Sequence, residues 1–98
     1  MATGTIPNTK LGEVAKNQTF PFTVPSDGVV YYSFSANSSS QTAYVYIQEE
    51  NSSTYLQQSQ STGGMAIRNS MVVKKDWKLK VGYISNATFN SLWFVPFV

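Results

Sequence analysis

Apolar residues in this chain recur at every second position, in short runs separated by turn-forming residues, and nowhere at helical spacing. Period-two alternation puts apolar side chains on one face of a strand and commits a chain to half-buried β structure. Residues 18–24 place Phe20, Phe22 and Val24 on one face, opposite Thr19, Pro21 and Thr23. Pro21 cannot donate to a ladder, which puts this strand at a sheet edge or at a bulge. Residues 29–36 place Val30, Tyr32, Phe34 and Ala36 on one face and Val29, Tyr31, Ser33 and Ser35 on the other. Between the two runs lies Pro25-Ser26-Asp27-Gly28. Pro presets φ there, Asp supports a turn and Gly accepts positive φ, so the pair reads as a β-hairpin.

The same reading continues along the chain. Residues 42–49 set Ala43, Val45 and Ile47 against Tyr44, Tyr46 and Gln48. A weaker strand follows over 54–60, then a flexible Ser61–Gly64 break and a strand-like Met71-Val72-Val73. Lys75-Asp76 sits where a tight turn is expected, and residues 77–84 place Trp77, Leu79, Val81 and Tyr83 inward with Lys78, Lys80 and Gly82 outward. Residues 37–41, 50–53 and 85–90 read as loops, and 10–16 as an irregular edge strand. About seven or eight short strands result, at spacings of roughly 8–12 residues, the pattern of an all-β antiparallel sandwich or barrel.

Ninety-eight residues suffice for one domain. The polar segment 1–9 reads as a tail or linker, and residues 10–98 as a single β-sandwich domain. Composition then removes chemistry. There is no cysteine and no histidine, which excludes disulfides, thiolate metal sites, and the commonest general base and metal ligand. The carboxylates are Glu13, Asp27, Glu49, Glu50 and Asp76. Glu49 and Glu50 are adjacent and would point to opposite faces of a strand, so they cannot work as a catalytic pair. No Asp-rich loop suits calcium. The expectation is a protein that is not an enzyme and carries no cofactor or metal. Charged residues make up 12% and the net charge is +2, far from a nucleic-acid signature. No apolar run is long enough to span a bilayer, and the segment from Met1 to Thr5 has no signal-peptide character. The Asn-X-Ser/Thr sites at Asn17, Asn37, Asn51 and Asn86 read as loops.

Two sets of residues stand out as candidate surfaces. In Ser91–Val98, Leu92, Phe94, Pro96 and Val98 point one way, and Trp93, Val95 and Phe97 the other. Both faces are apolar, whereas a sandwich strand needs only one dry face. Trp93, Val95 and Phe97, joined by Val29 and Tyr31, are therefore the candidate oligomer interface; the alternative is a loop or the N-terminal tail covering them. Tyr44, Tyr46 and Tyr55 form an outward stripe that suits stacking on sugar rings, a candidate glycan site, with a subunit interface as the alternative. Lys74, Lys75, Lys78 and Lys80 are a basic set, but Trp77 falls on the face opposite Lys78 and Lys80, so charge and stacking do not converge on nucleic acid.

The segment TVPSDGVVYYSF, the stretch VVKKDWKLKV and the closing Phe94-Val95-Pro96-Phe97 together resemble the small jelly-roll head domains at the tips of bacteriophage and prophage tail fibres. The resemblance spans roughly residues 18–98, departs from the usual pattern at Lys75, where Gly is common, and lacks a fibrous shaft or Gly-rich repeat. It implies a jelly-roll-like sandwich, a homo-oligomer (a trimer) closing on an apolar strand, receptor binding to a cell-surface glycan, and location in the virion. Two other readings stand beside it: a carbohydrate-binding module of a larger secreted protein, and a single-stranded nucleic-acid-binding β-barrel.

Overall fold

The computed structural model of the chain describes Val14 to Phe97. The expected tail at residues 1–9, most of the expected edge strand at 10–16, and Val98 lie outside the described residues. The strands are β1 (Phe22–Thr23), β2 (Gly28–Ala36), β3 (Ala43–Glu49), β4 (Tyr55–Ser61), β5 (Ile67–Val73), β6 (Lys78–Ser85) and β7 (Ala87–Pro96). They form two antiparallel sheets, one in the order β1-β6-β3-β4 and one in the order β5-β2-β7, packed as a β-sandwich. Every connection except β3–β4 crosses from one sheet to the other. No helix among the described residues is long and apolar enough to cross a membrane.

The alternating residues of the sequence fill the space between the layers. Val30, Tyr32 and Phe34 of β2 and Leu92 and Phe94 of β7 meet Ala43, Val45 and Ile47 of β3 and Leu79 of β6, all buried. Each large apolar side chain so buried contributes about 1.5–3 kcal/mol relative to leaving it wet. Phe34 and Phe89 pack edge to face at 5.5 Å between ring centroids, and Phe20 stacks on Phe34 at 6.3 Å.

The expected hairpin of residues 18–24 with 29–36 is corrected. β1 pairs with β6 (Phe22 with Leu79, Thr23 with Lys78), whereas β2 lies in the other sheet. Pro25-Ser26-Asp27-Gly28 carries the chain across the sandwich. Phe22 and Val30 both reach the core, but from opposite layers, and alternation reads the same for either arrangement. Gly28 does not take positive φ; among the described residues the glycines that do are Gly63 and Gly64. A Cβ on Gly28 would collide with the Val95 carbonyl oxygen and lie 2.7 Å from the Phe94 ring, so close approach of β7 is what selects glycine here. The regular strand in this region is only Phe22–Thr23, and Pro21 precedes it at the outer edge of its sheet.

The expected loop at 85–90 is corrected as well. β7 already begins at Ala87, and Phe89 packs against the core. Asn86, at φ 55, makes the whole turn between sheets. Its side-chain amide donates to the carbonyls of Ser38 at 3.0 Å and Gln41 at 2.9 Å, tying this corner to the β2–β3 loop. Asn tolerates the left-handed region better than most residues, which lets one polar residue replace a loop.

On its far side β7 is flanked by residues 15–18. The Ala15 and Phe94 amides each donate to the other's carbonyl at 2.8 Å, and the Gln18 amide donates to the Leu92 carbonyl at 2.9 Å.

Candidate functional site

The outer face of the four-stranded sheet carries a tyrosine cluster. Tyr44 and Tyr46 point outward from β3, as alternation predicts, and Tyr55 of β4 lies beside Tyr46 at 5.0 Å between ring centroids. The structure adds Tyr83, 5.2 Å from Tyr46 and 6.3 Å from Tyr44. The expectation that Tyr83 faces inward is therefore corrected. In the β3–β6 ladder Tyr46 pairs with Tyr83, but the next residue, Ile47, pairs with Val81. Gly82 is the extra residue, and this bulge shifts the alternation so that Val81 packs on the core while Tyr83 stays 46% exposed. Glycine inside a strand pattern is the sequence signal for such a bulge. The rings meet at steep angles, 83° for Tyr44–Tyr46 and 64° for Tyr46–Tyr55. Among the described residues none of these four hydroxyls has a hydrogen-bond partner in the protein.

The outer face of the three-stranded sheet holds the other candidate set. Register places Val72, Val29 and Val95 in one row, Ser70, Tyr31 and Trp93 in the next, and Arg68, Ser33 and Ser91 in a third. The chain covers part of what the sequence left open. Val29 is 8% exposed, Val95 8% and Phe97 6%, so these three expected interface residues are buried within one chain. Tyr31 at 43% and Trp93 at 40% remain open. They line a concavity of about 730 Å³ whose walls include Val14, Arg68 and Ser91. The Lys16 ammonium stands 5.2 Å from the centre of the Trp93 ring but is not part of the concavity's lining.

Two of the carboxylates, Glu49 and Asp27, bond backbone amides. The Glu49 carboxylate accepts from the backbone amides of Lys78 at 2.9 Å and Asn51 at 2.7 Å. These bonds hold its pKa below the ordinary glutamate range, with the Lys78 amide the larger cause. Glu50 pairs with Lys78 at 3.4 Å across an exposed surface, a contact worth little. Asp27 sits in the first sheet crossing, and Asp76 takes φ 72 in the Lys75-Asp76 turn. No group of three or more acidic side chains that could hold a metal occurs among the described residues. The lysines are dispersed. Lys74 and Lys75 follow β5, while Lys80 lies opposite Gln48, whose other partner is Tyr55. Trp77 packs against the core, away from Lys78 and Lys80.

Comparison with protein-family models, with curated proteins and with solved structures finds no match to this chain.

Proposed function

We propose that the chain is a noncatalytic recognition domain of a phage or prophage virion, of the tail-fibre-tip kind, acting as a homo-oligomer, a trimer. The observation that carries the recognition part is the contrast between its charged and its aromatic residues. Glu49 and Asp27 bond backbone amides in turns, while aromatic rings stand open on both outer faces of a rigid sandwich. Open aromatic rings held on a sheet suit recognition. The crossing of nearly every connection between sheets supports the jelly-roll character of the reading. Burial of Val29, Val95 and Phe97 within one chain removes most of the expected contact surface, so assembly rests on the resemblance.

Light scattering of the intact chain tests assembly: this reading expects about three times the monomer mass of 10.9 kDa, and a monomer at high micromolar concentration removes the oligomer from it.

The second reading, a carbohydrate-binding module, is favoured by the four-tyrosine cluster, whose hydroxyls have no hydrogen-bond partner among the described residues. A glycan array probes recognition in both readings. Loss of array binding in Tyr46→Ala, the ring at the centre of the cluster, would assign binding to this face.

A further inference from the structure

We propose that the concavity on the three-stranded sheet binds an acidic saccharide, with a sugar ring against Trp93 and Tyr31 and its carboxylate on Arg68. This deepens the recognition reading and rests on it. The floor is aromatic: Tyr31 and Trp93 are cross-strand partners, both open to solvent. Broad aromatic surface of this kind takes the apolar face of a pyranose, and a tyrosine hydroxyl adds a polar handle. Ser33, Ser70 and Ser91 also line the concavity and can meet sugar hydroxyls, and Val14 and Val95 extend its apolar part.

Charge then selects among sugars. Arg68 is the only charged side chain lining the concavity among the described residues, and no described carboxylate lines it. Arg68 and Trp93 are separated by two strand spacings and one row of the same face, roughly 12 Å between Cα atoms from standard sheet dimensions. The arginine side chain extends into part of that gap, and one sugar unit with an exocyclic carboxylate spans the remainder. Guanidinium binds carboxylate through paired donors, so the site reads geometry as well as charge. Lys16 contacts the Trp93 ring from beyond the lining and braces it.

A nucleic-acid strand fits less well. It presents a phosphate at every nucleotide and is tracked by a run of cations, whereas this concavity offers one, and Lys74, Lys75, Lys78 and Lys80 lie on other elements.

The test is calorimetry on the intact chain with five probes: a glucuronate-containing tetrasaccharide, its carboxyl-reduced form, 3′-sialyllactose, lactose and decathymidylate. The expected result is binding of at least one acidic probe and loss of about tenfold or more in affinity for its neutral counterpart. Arg68→Gln should lose as much, and Trp93→Ala should lose more, while Lys75→Gln, in an exposed turn away from both candidate surfaces, leaves affinity unchanged. All three are surface substitutions, and an unchanged circular dichroism spectrum certifies each variant. Equal affinity for acidic and neutral probes, or full affinity in Arg68→Gln, overturns the proposal. So does failure to bind either acidic probe. Preferential binding of decathymidylate with a steep salt dependence overturns it in favour of nucleic acid. Binding abolished by Tyr46→Ala and spared by Trp93→Ala moves the site to the tyrosine face and leaves the recognition reading standing, whereas an empty glycan array removes glycan recognition itself.

Discussion

The ring of Tyr55 lies over Gly82, two strands away, close enough that a Cβ on the glycine would stand 2.7 Å from the ring's Cε1. The gap left by a missing side chain on β6 is filled by an aromatic from β4, and the intervening Gln48 closes against both. The tyrosine cluster depends on this vacancy as much as on the tyrosines. Gly82→Ala should displace the Tyr55 ring and the Gln48 amide, which are side-chain atoms, while Gln48 Cβ at 3.1 Å must give by a few tenths of an ångström. The expected cost is small, under about 1 kcal/mol, with a clear change in the near-ultraviolet tyrosine signal. Gly28→Ala should differ in kind, since the obstacle there includes the Val95 backbone carbonyl. Overpacking of that sort costs about 1–3 kcal/mol. Urea unfolding of the two variants compares them, and equal losses would refute the distinction.

Tyr32 closes the side of the sandwich where β4 meets β5. Its hydroxyl donates to Gln57 Oε1 at 2.7 Å and lies 3.2 Å from Ser59 Oγ, which also accepts from Asn69 Nδ2 at 3.0 Å. Tyr32→Phe leaves these buried groups short of a partner and should cost about 1–2 kcal/mol at neutral pH, measurable by denaturant titration.

Burial also raises the Tyr32 pKa, only partly offset by hydrogen bonds to Ser59 and Asn69. A phenol raised in the folded state stabilises the fold fully below the unfolded phenol's pKa of about 10 and loses that contribution as pH climbs through the folded value. Stability should therefore fall more steeply above about pH 10 in the parent chain than in Tyr32→Phe. Parallel slopes between pH 9 and 11 would argue against a neutral buried phenol.

Glu49 acts at the opposite end of the pH scale. Its carboxylate is held down by backbone amides, chiefly that of Lys78. A depressed carboxylate contributes stability above its unfolded pKa and loses it as pH falls through the folded one. Glu49→Gln should be less stable than the parent at pH 7, and the gap should close progressively below about pH 5. Chemical denaturation at a series of pH values checks this; a gap that persists undiminished at pH 2 assigns the bonds no dependence on charge.

Asp27 joins two sheet crossings that are far apart in the chain. Its Oδ1 accepts from the Lys75 amide at 2.9 Å, and its carbonyl accepts from the Phe97 amide at 3.0 Å. Asp27→Ala removes the first bond and keeps the second, at an expected cost of about 1 kcal/mol. Amide hydrogen exchange at Lys75 should accelerate while that at Phe97 holds. If Lys75 exchange is unaffected, the turns are not coupled through this carboxylate.

Much of this protein was written locally. Which residues face inward on β2 and β3 follows from alternation, because opposite faces of a strand are set by backbone geometry alone. Tyr44 and Tyr46 were legible as an outward pair for the same reason, and Lys75-Asp76 as a turn because Asp tolerates the left-handed conformation that it takes there. What alternation cannot encode is the layer a strand enters. Residues 18–24 and 29–36 bury the same side chains whether they pair as neighbours or face each other across the core, and only long-range pairing of β1 with β6 chose between them. One extra residue at Gly82 inverted the strand beyond it and delivered Tyr83 to a face its position in the run denies it. Of the concavity, Tyr31, Trp93 and Val95 were legible as one apolar surface, whereas Arg68 was not, since it comes from a third strand and joins them only after β2 is flanked by β5 and β7. Side-chain direction is a property of a few consecutive dihedrals, whereas neighbourhood across a sheet is a property of the whole packed core.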